Sequence, residues 1–137
     1  METTVIQHVL SRLHDIGIRD VFGVAGDFAF PIDDAVSSNR NLRWVGCCNE
    51  LNAAYAADGY ARSHGVAALC TTYGVGELSA ICGVGGAYAE HLPVVHLVGM
   101  PSSGVQGQRR LCITPLATAN SDCFPGWRNR WSAPRPL

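Results

Sequence analysis

Apolar positions near the start of the chain recur with helical spacing. Ile6, Val9, Leu10 and Leu13 share one face, with Thr3 or Thr4 available as a cap and Gly17 as a stop. A helix through about Ile16 is therefore predicted. The pattern then changes: Asp20 leads into Val21-Phe22-Gly23-Val24, a short unbroken apolar run of the kind a strand covered on both faces shows. Ala25-Gly26-Asp27-Phe28 reads as a tight turn, and Pro31 stands near the start of a second helix over Ile32 to Val36. Leu42 to Gly46, Val66 to Thr72 and Pro93 to Gly99 predict three further strands. Between them lie the stretch Asn49 to Arg62 and a helix that opens at Tyr73-Gly74 and runs to about Glu90.

Strand and helix thus alternate with short loops. The expected fold class is α/β, an open, mainly parallel sheet with helices on both faces. In such a sheet the turns at Asp27, at Asn49-Glu50 and at Tyr73-Gly74 all leave strands in the same sense and share the C-terminal edge, where ligands bind. Asn49 is a good N-cap, and the alanines at 53, 54, 56, 57 and 61 propagate a helix while making it thin enough to pack closely. Glu50 falls in that helix's first turn. It is either an ordinary partner of the helix dipole or a carboxylate held at the edge of a buried cleft.

Composition narrows the function classes. The chain has 137 residues, with 47% hydrophobic and 15% charged side chains and a formal net charge of −1, the profile of one globular domain. That balance offers no electrostatic attraction for nucleic acid or an anionic membrane. No apolar run is long enough to span a bilayer, and Met1-Glu2-Thr3-Thr4 lacks the basic start of a signal peptide, so a cytoplasmic protein is expected. Six cysteines, at 47, 48, 70, 82, 112 and 123, fit no zinc spacing; they are read as small buried thiols, and no metal site is assigned to this chain. The Gly74-Val75-Gly76 turn has neither the lysine nor the spacing of a phosphate loop, and the chain contains no lysine at all. His91 and His96 are read as structural hydrogen-bonders.

Four stretches together carry a specific resemblance: Val21-Phe22-Gly23-Val24-Ala25-Gly26-Asp27-Phe28, Asn49 to Arg62, Thr71 to Ala80, and Tyr88-Ala89-Glu90-His91. In order and spacing they resemble the N-terminal pyrimidine-binding domain of thiamine-diphosphate-dependent 2-oxo-acid decarboxylases of the pyruvate and indolepyruvate type. The resemblance covers residues 3 to about 110. It implies the thiamine-diphosphate-binding fold, incomplete at the C-terminus, with thiamine diphosphate as cofactor and Mg2+ held through a domain absent from this chain. It implies catalytic roles for Glu50, which would hydrogen-bond the pyrimidine ring nitrogen, and for Asp27, which would relay protons. Thr72, Tyr73 and Gly74 would line the cleft beside the pyrimidine. A small 2-oxo acid would be the substrate, and a homodimer or homotetramer the assembly. Acetolactate synthases share the Glu50 helix but resemble this chain less at Gly26-Asp27-Phe28, where they carry no aspartate, and at Gly74-Val75-Gly76. A non-catalytic α/β module from a defective gene is the reading from a different class.

The resemblance stops near residue 110. Residues 1–110 hold seven arginines against ten acids, whereas 111–137 hold three arginines, one acid and four of the seven prolines. Where the family continues with a histidine pair, this chain reads Leu111-Cys112-Ile113-Thr114-Pro115. One permitted codon choice for Cys112 to Trp127, read one base out of register, yields His-His-Thr-Leu-Gly-Asn-Gly-Glu-Phe. The expectation is that 111–137 is a frameshifted or disordered tail, that the chain is a fragment, and that alone it is inactive.

Overall fold

The computed structural model describes residues 3–107. The tail expected over 111–137, with Cys112 and Cys123, lies outside the described residues. Residues up to Met100 form one compact unit and those from Pro101 a second. Of the second, residues 101–107 fall among the described residues, with the short helix Ser103–Gly107.

In the first unit, four strands, β1 (Asp20–Gly23), β2 (Arg43–Gly46), β3 (Ala67–Thr72) and β4 (Val94–Gly99), pair in the order β2-β1-β3-β4, and every pairing is parallel. Helices α1 (Val5–Asp15), α2 (Phe30–Ser37), α3 (Glu50–His64), α4 (Val75–Ser79) and α5 (Ile81–Ala89) complete the alternation. The α/β expectation holds. The first helix starts where its cap demands: Thr4 accepts from the Gln7 N–H, and the Gln7 side chain returns to the Thr4 N–H.

Alternating side chains of the strands divide the core. Val21, Ala68 and Cys70 join Leu10, Leu13, Val36 and Leu42 beneath α1 and α2. Phe22, Ala67 and Leu69 join the α3 alanines 53, 54, 57 and 61 and Ala80 on the opposite face. The connection after β1 therefore runs over one face and that after β3 over the other. Since β1 and β3 are neighbours, their C-terminal ends open onto the crevice where such sheets bind ligands.

Two expectations need correction. The helix over Tyr73 to Glu90 is two helices, because Ala80 interrupts it, its N–H reaching Gly76 O and Leu78 O at the end of α4. The cysteines are not uniformly buried. Cys70 is fully enclosed and Cys47 half-buried, but Cys48 and Cys82 are exposed. Cys48 lies beyond the end of β2, with Sγ donating to Asn52 Oδ1, and Cys82 sits on the outward side of α5. All four thiols are free.

The thin helix α3 does what its alanines predict. A Cβ placed on Gly83 of α5 would lie 2.5 Å from Ala54 Cβ and 3.1 Å from the Ala54 carbonyl carbon. Gly59, in α3 itself, faces open space. Helix propensity alone would make either glycine-to-alanine change stabilising by about 1 kcal/mol. The expected outcome is opposite signs: Gly59→Ala raises the urea midpoint, whereas Gly83→Ala lowers stability by about 1–3 kcal/mol through overpacking. A higher midpoint for Gly83→Ala would show that α5 can move away freely.

Candidate active site

Three turns meet at the C-terminal edge of the sheet. The first, after β1, carries Gly26, Asp27 and Phe28; the Gly26 carbonyl accepts from the N–H groups of Ala29 (2.7 Å) and Phe30 (3.0 Å), tying the turn to the start of α2. The second, after β2, leads into α3, where Asn49 caps with its side-chain oxygen 2.8 Å from the Asn52 N–H. That cap sets Glu50 as the first helical residue, with its carboxylate close to Gly76. The third is Thr72-Tyr73-Gly74, tied to the end of β4 by the Tyr73 N–H donating to Gly99 O at 2.9 Å.

Close approaches join these turns. A Cβ on Gly76 would lie 2.9 Å from Thr72 Oγ1 and 3.1 Å from Glu50 Oε1, so the start of α4 lies directly against both polar groups. A Cβ on Gly26 would collide with Thr72 Cγ2. The Phe28 and Tyr73 rings meet edge to face, 5.2 Å between centroids. Glu50, Thr72 and the Gly74–Gly76 segment thus form one wall, and the Gly26–Phe28 turn packs on it through Thr72 and Tyr73. Glu50, Thr72 and Tyr73 are half-buried, Gly74 is buried and Asp27 is exposed.

Beneath the wall, the hydroxyl of the fully buried Thr71 shares a hydrogen bond of 2.9 Å with His96 Nε2. His96 is the structural hydrogen-bonder expected; burial pushes its imidazole down to about 4. His91 ends its helix differently, exposed and in a left-handed backbone conformation, with its N–H on Tyr88 O.

Among the described residues four carboxyls are buried, Asp20, Asp33, Asp58 and Glu77; the first and third are ion-paired, and the other two, next to these turns, escaped the sequence reading. Glu77 accepts from the Gly74 N–H, and the Gly-x-x-Glu spacing at a helix start was the available signal. Asp33, inside α2, had no such signal. Burial pushes its carboxyl up, against the opposing pull of the Cys70 Sγ–H, 3.5 Å from Oδ1, and of the nearby Gly26 N–H; Oδ2 has no partner. Burial pushes the Cys47 and Cys70 thiols up as well, away from thiolate chemistry. Among the described residues, no group of three or more His, Cys, Asp or Glu could hold a metal ion, and no helix is long and apolar enough to cross a membrane.

His96 makes a pH prediction. Its neutral form is favoured by folding, so its contribution is intact above its ordinary value of 6.5 and is lost as pH falls toward about 4. The expected cost across that window is on the order of 3 kcal/mol. Denaturation midpoints measured from pH 7 to 4 should fall less steeply for His96→Gln than for the parent; parallel curves would contradict the assignment.

Comparison with known proteins places this architecture. The family described as "Thiamine pyrophosphate enzyme, N-terminal TPP binding domain" matches residues 3–112. The chain is 52% identical over 121 residues to an alpha-keto-acid decarboxylase of Mycobacterium ulcerans, covering 88% of this chain and 21% of that protein. The proteins of the same description from Mycobacterium avium and Mycobacterium tuberculosis are 54% and 50% identical over the same length, 88% of this chain and 22% of each relative. The chain therefore spans about a fifth of the length of these relatives.

Proposed function

The chain belongs to the thiamine pyrophosphate enzymes as their N-terminal TPP-binding domain, and on that premise we propose that it binds the pyrimidine of thiamine diphosphate for decarboxylation of a 2-oxo acid. The observation that carries the reading is the cradle at the sheet edge. Gly76 lacks the Cβ that would press on Glu50 Oε1 and Thr72 Oγ1, which leaves a flat backbone beside one carboxylate and one hydroxyl. A planar heteroaromatic ring with a basic nitrogen suits that donor and acceptor set.

Bound there, the cofactor supplies a carbanion-stabilising thiazolium that withdraws electrons from the bond to the departing carboxylate. The chain's own residues bind and orient it. Glu50 accepts a hydrogen bond from a protonated ring nitrogen, an interaction of the charge-assisted kind. Thr72, Tyr73 and Gly74 form the wall beside the ring, and the Phe28–Tyr73 contact ties that wall to the Asp27 turn. Asp27 is exposed, in the turn after β1, and in this reading it holds or releases a proton near substrate. Asp27 and the Gly74-Val75-Gly76 turn favour decarboxylase over acetolactate-synthase chemistry, and a substrate of the pyruvate or indolepyruvate type. Mg2+ and the diphosphate would be held outside these residues, and the family's dimeric or tetrameric assembly in a cytoplasmic setting completes the reading.

The boundary near residue 110 belongs to the same proposal. The family match that ends at residue 112 and the charge and proline shift beyond it support it, whereas the 121 residues aligned with the relatives reach at least residue 121 and argue for a later boundary. Sequencing the coding DNA tests the tail: a one-base shift after about codon 111 should restore the histidine pair, and a reading frame that restores nothing would refute the frameshift.

Because Glu50 is only half-buried and Asp27 exposed, water is not excluded from either, and the chain alone is expected to bind without turning over. Titration with thiamine diphosphate and magnesium should perturb the amides of Glu50, Thr72 and Gly76, and Glu50→Gln should weaken binding by about tenfold. Pyruvate and indolepyruvate should not be decarboxylated above background. Turnover that disappears in Glu50→Gln would overturn the claim that the chain alone is inactive; unchanged binding in that variant would overturn the assignment of Glu50.

A further inference from the structure

We propose that Glu77 is a positioning residue for Glu50, acting through the Gly74–Gly76 segment; the functional weight of this rests on the cofactor reading above. Glu77 is the third residue of α4 and only 8% exposed. Its Oε2 accepts from the Gly74 N–H at 3.5 Å, while the Gly74 carbonyl accepts from the Leu78 N–H at 2.8 Å. Both peptide groups of Gly74 are thereby fastened to the first turn of α4. This is half of a capping box, since glycine has no side chain to return the bond. Gly74 has φ +70° and ψ −107°, a backbone state that glycine reaches without penalty and leaves as easily. The carboxylate removes that freedom.

The consequence falls on Gly76, the residue immediately before Glu77. Gly76 lies against Glu50 Oε1 and Thr72 Oγ1, at the separations a missing Cβ permits. Tyr73, on the other side of Gly74, is already tied to β4. With β4 holding one end of the segment and Glu77 the other, the surface on which the Glu50 carboxylate rests cannot rotate. Glu77 itself has no need to touch the ring. At 3.5 Å its bond is long, and its effect is to select one backbone conformation of Gly74.

The test compares Glu77→Gln, which keeps an acceptor oxygen, with Glu77→Ala, which does not, in the 137-residue chain. In the parent, the Gly74 amide should exchange with solvent as slowly as the β3 amides. Glu77→Ala should speed that exchange by at least about tenfold, shift the side-chain carboxyl carbon resonance of Glu50 and weaken thiamine diphosphate binding by about tenfold. Glu77→Gln should restore all three. A merely structural Glu77 would lower the denaturation midpoint of the Ala variant and leave the Glu50 resonance where it was, and that result overturns the proposal. So does a parent Gly74 amide that exchanges at loop rates, an observation that stands even when a variant fails to fold. If the parent binds no thiamine diphosphate while the Gly74 and Glu50 signals respond as stated, the cofactor reading fails and the positioning of Glu50 stands.

Discussion

The close approach of α3 to its surroundings is the constraint on which the rest of the site depends. Ala53, Ala54, Ala57 and Ala61 bring the helix axis near the sheet on one side, and Ala54 meets Gly83 of α5 on another. At the second contact even a Cβ on Gly83 would collide with Ala54. Because Glu50 is the first residue of that helix, the height of its carboxylate above the sheet edge is decided by the packing of methyl groups further along. The Asn49 cap then fixes where the helix begins, so position along the axis and distance from the sheet are set by separate, local interactions.

Parallel pairing does the remaining work. With all four strands running the same way, the chain must return over a face after each one, and every strand ends at the same edge. Three turns distant in sequence become neighbours without any side chain having to recruit another. Their contacts are correspondingly small and dense: the carboxylate of Glu50 and the hydroxyl of Thr72 on Gly76, Thr72 on Gly26, Phe28 on Tyr73. Among the described residues, ion pairs are placed away from this edge. Asp20 and Arg43 face each other in register at the other end of β1 and β2, and Asp58 and Arg62 pair one turn apart along α3.

Much of this was legible in the sequence because it depends on period and punctuation. The strands, the Thr4 and Asn49 caps, and the shared edge of Asp27, Glu50 and Thr72–Gly74 follow from apolar runs, cap chemistry and alternation, and the structure shows each of them. What escaped depends on three-dimensional neighbours. The break at Ala80 has no glycine or proline to announce it. Cys48 and Cys82 stand among apolar residues in sequence, yet point outward because of where their elements end or turn. Asp33 lies in an ordinary helical pattern, and only its opposition to Cys70 across the core reveals its burial. Glu77 had a readable spacing, but its importance comes from Gly76 lying on Glu50, which spacing alone does not show.

The contact between Ala54 and Gly83 also bears on how variation in this domain is interpreted. Ala54 lies one helical turn from Glu50, so the helix acts as a short lever with its fulcrum at the contact with α5. If Glu50 has the proposed role, an added methyl group at that contact displaces a carboxylate whose work is sensitive to shifts of about 1 Å. In a survey of natural or random variants, substitutions at these small residues would therefore cluster with those at Glu50 itself. On the proposed reading, a functional defect would mark a buried alanine as though it were a site residue, and distance from Glu50 would be a poor guide to which positions tolerate change.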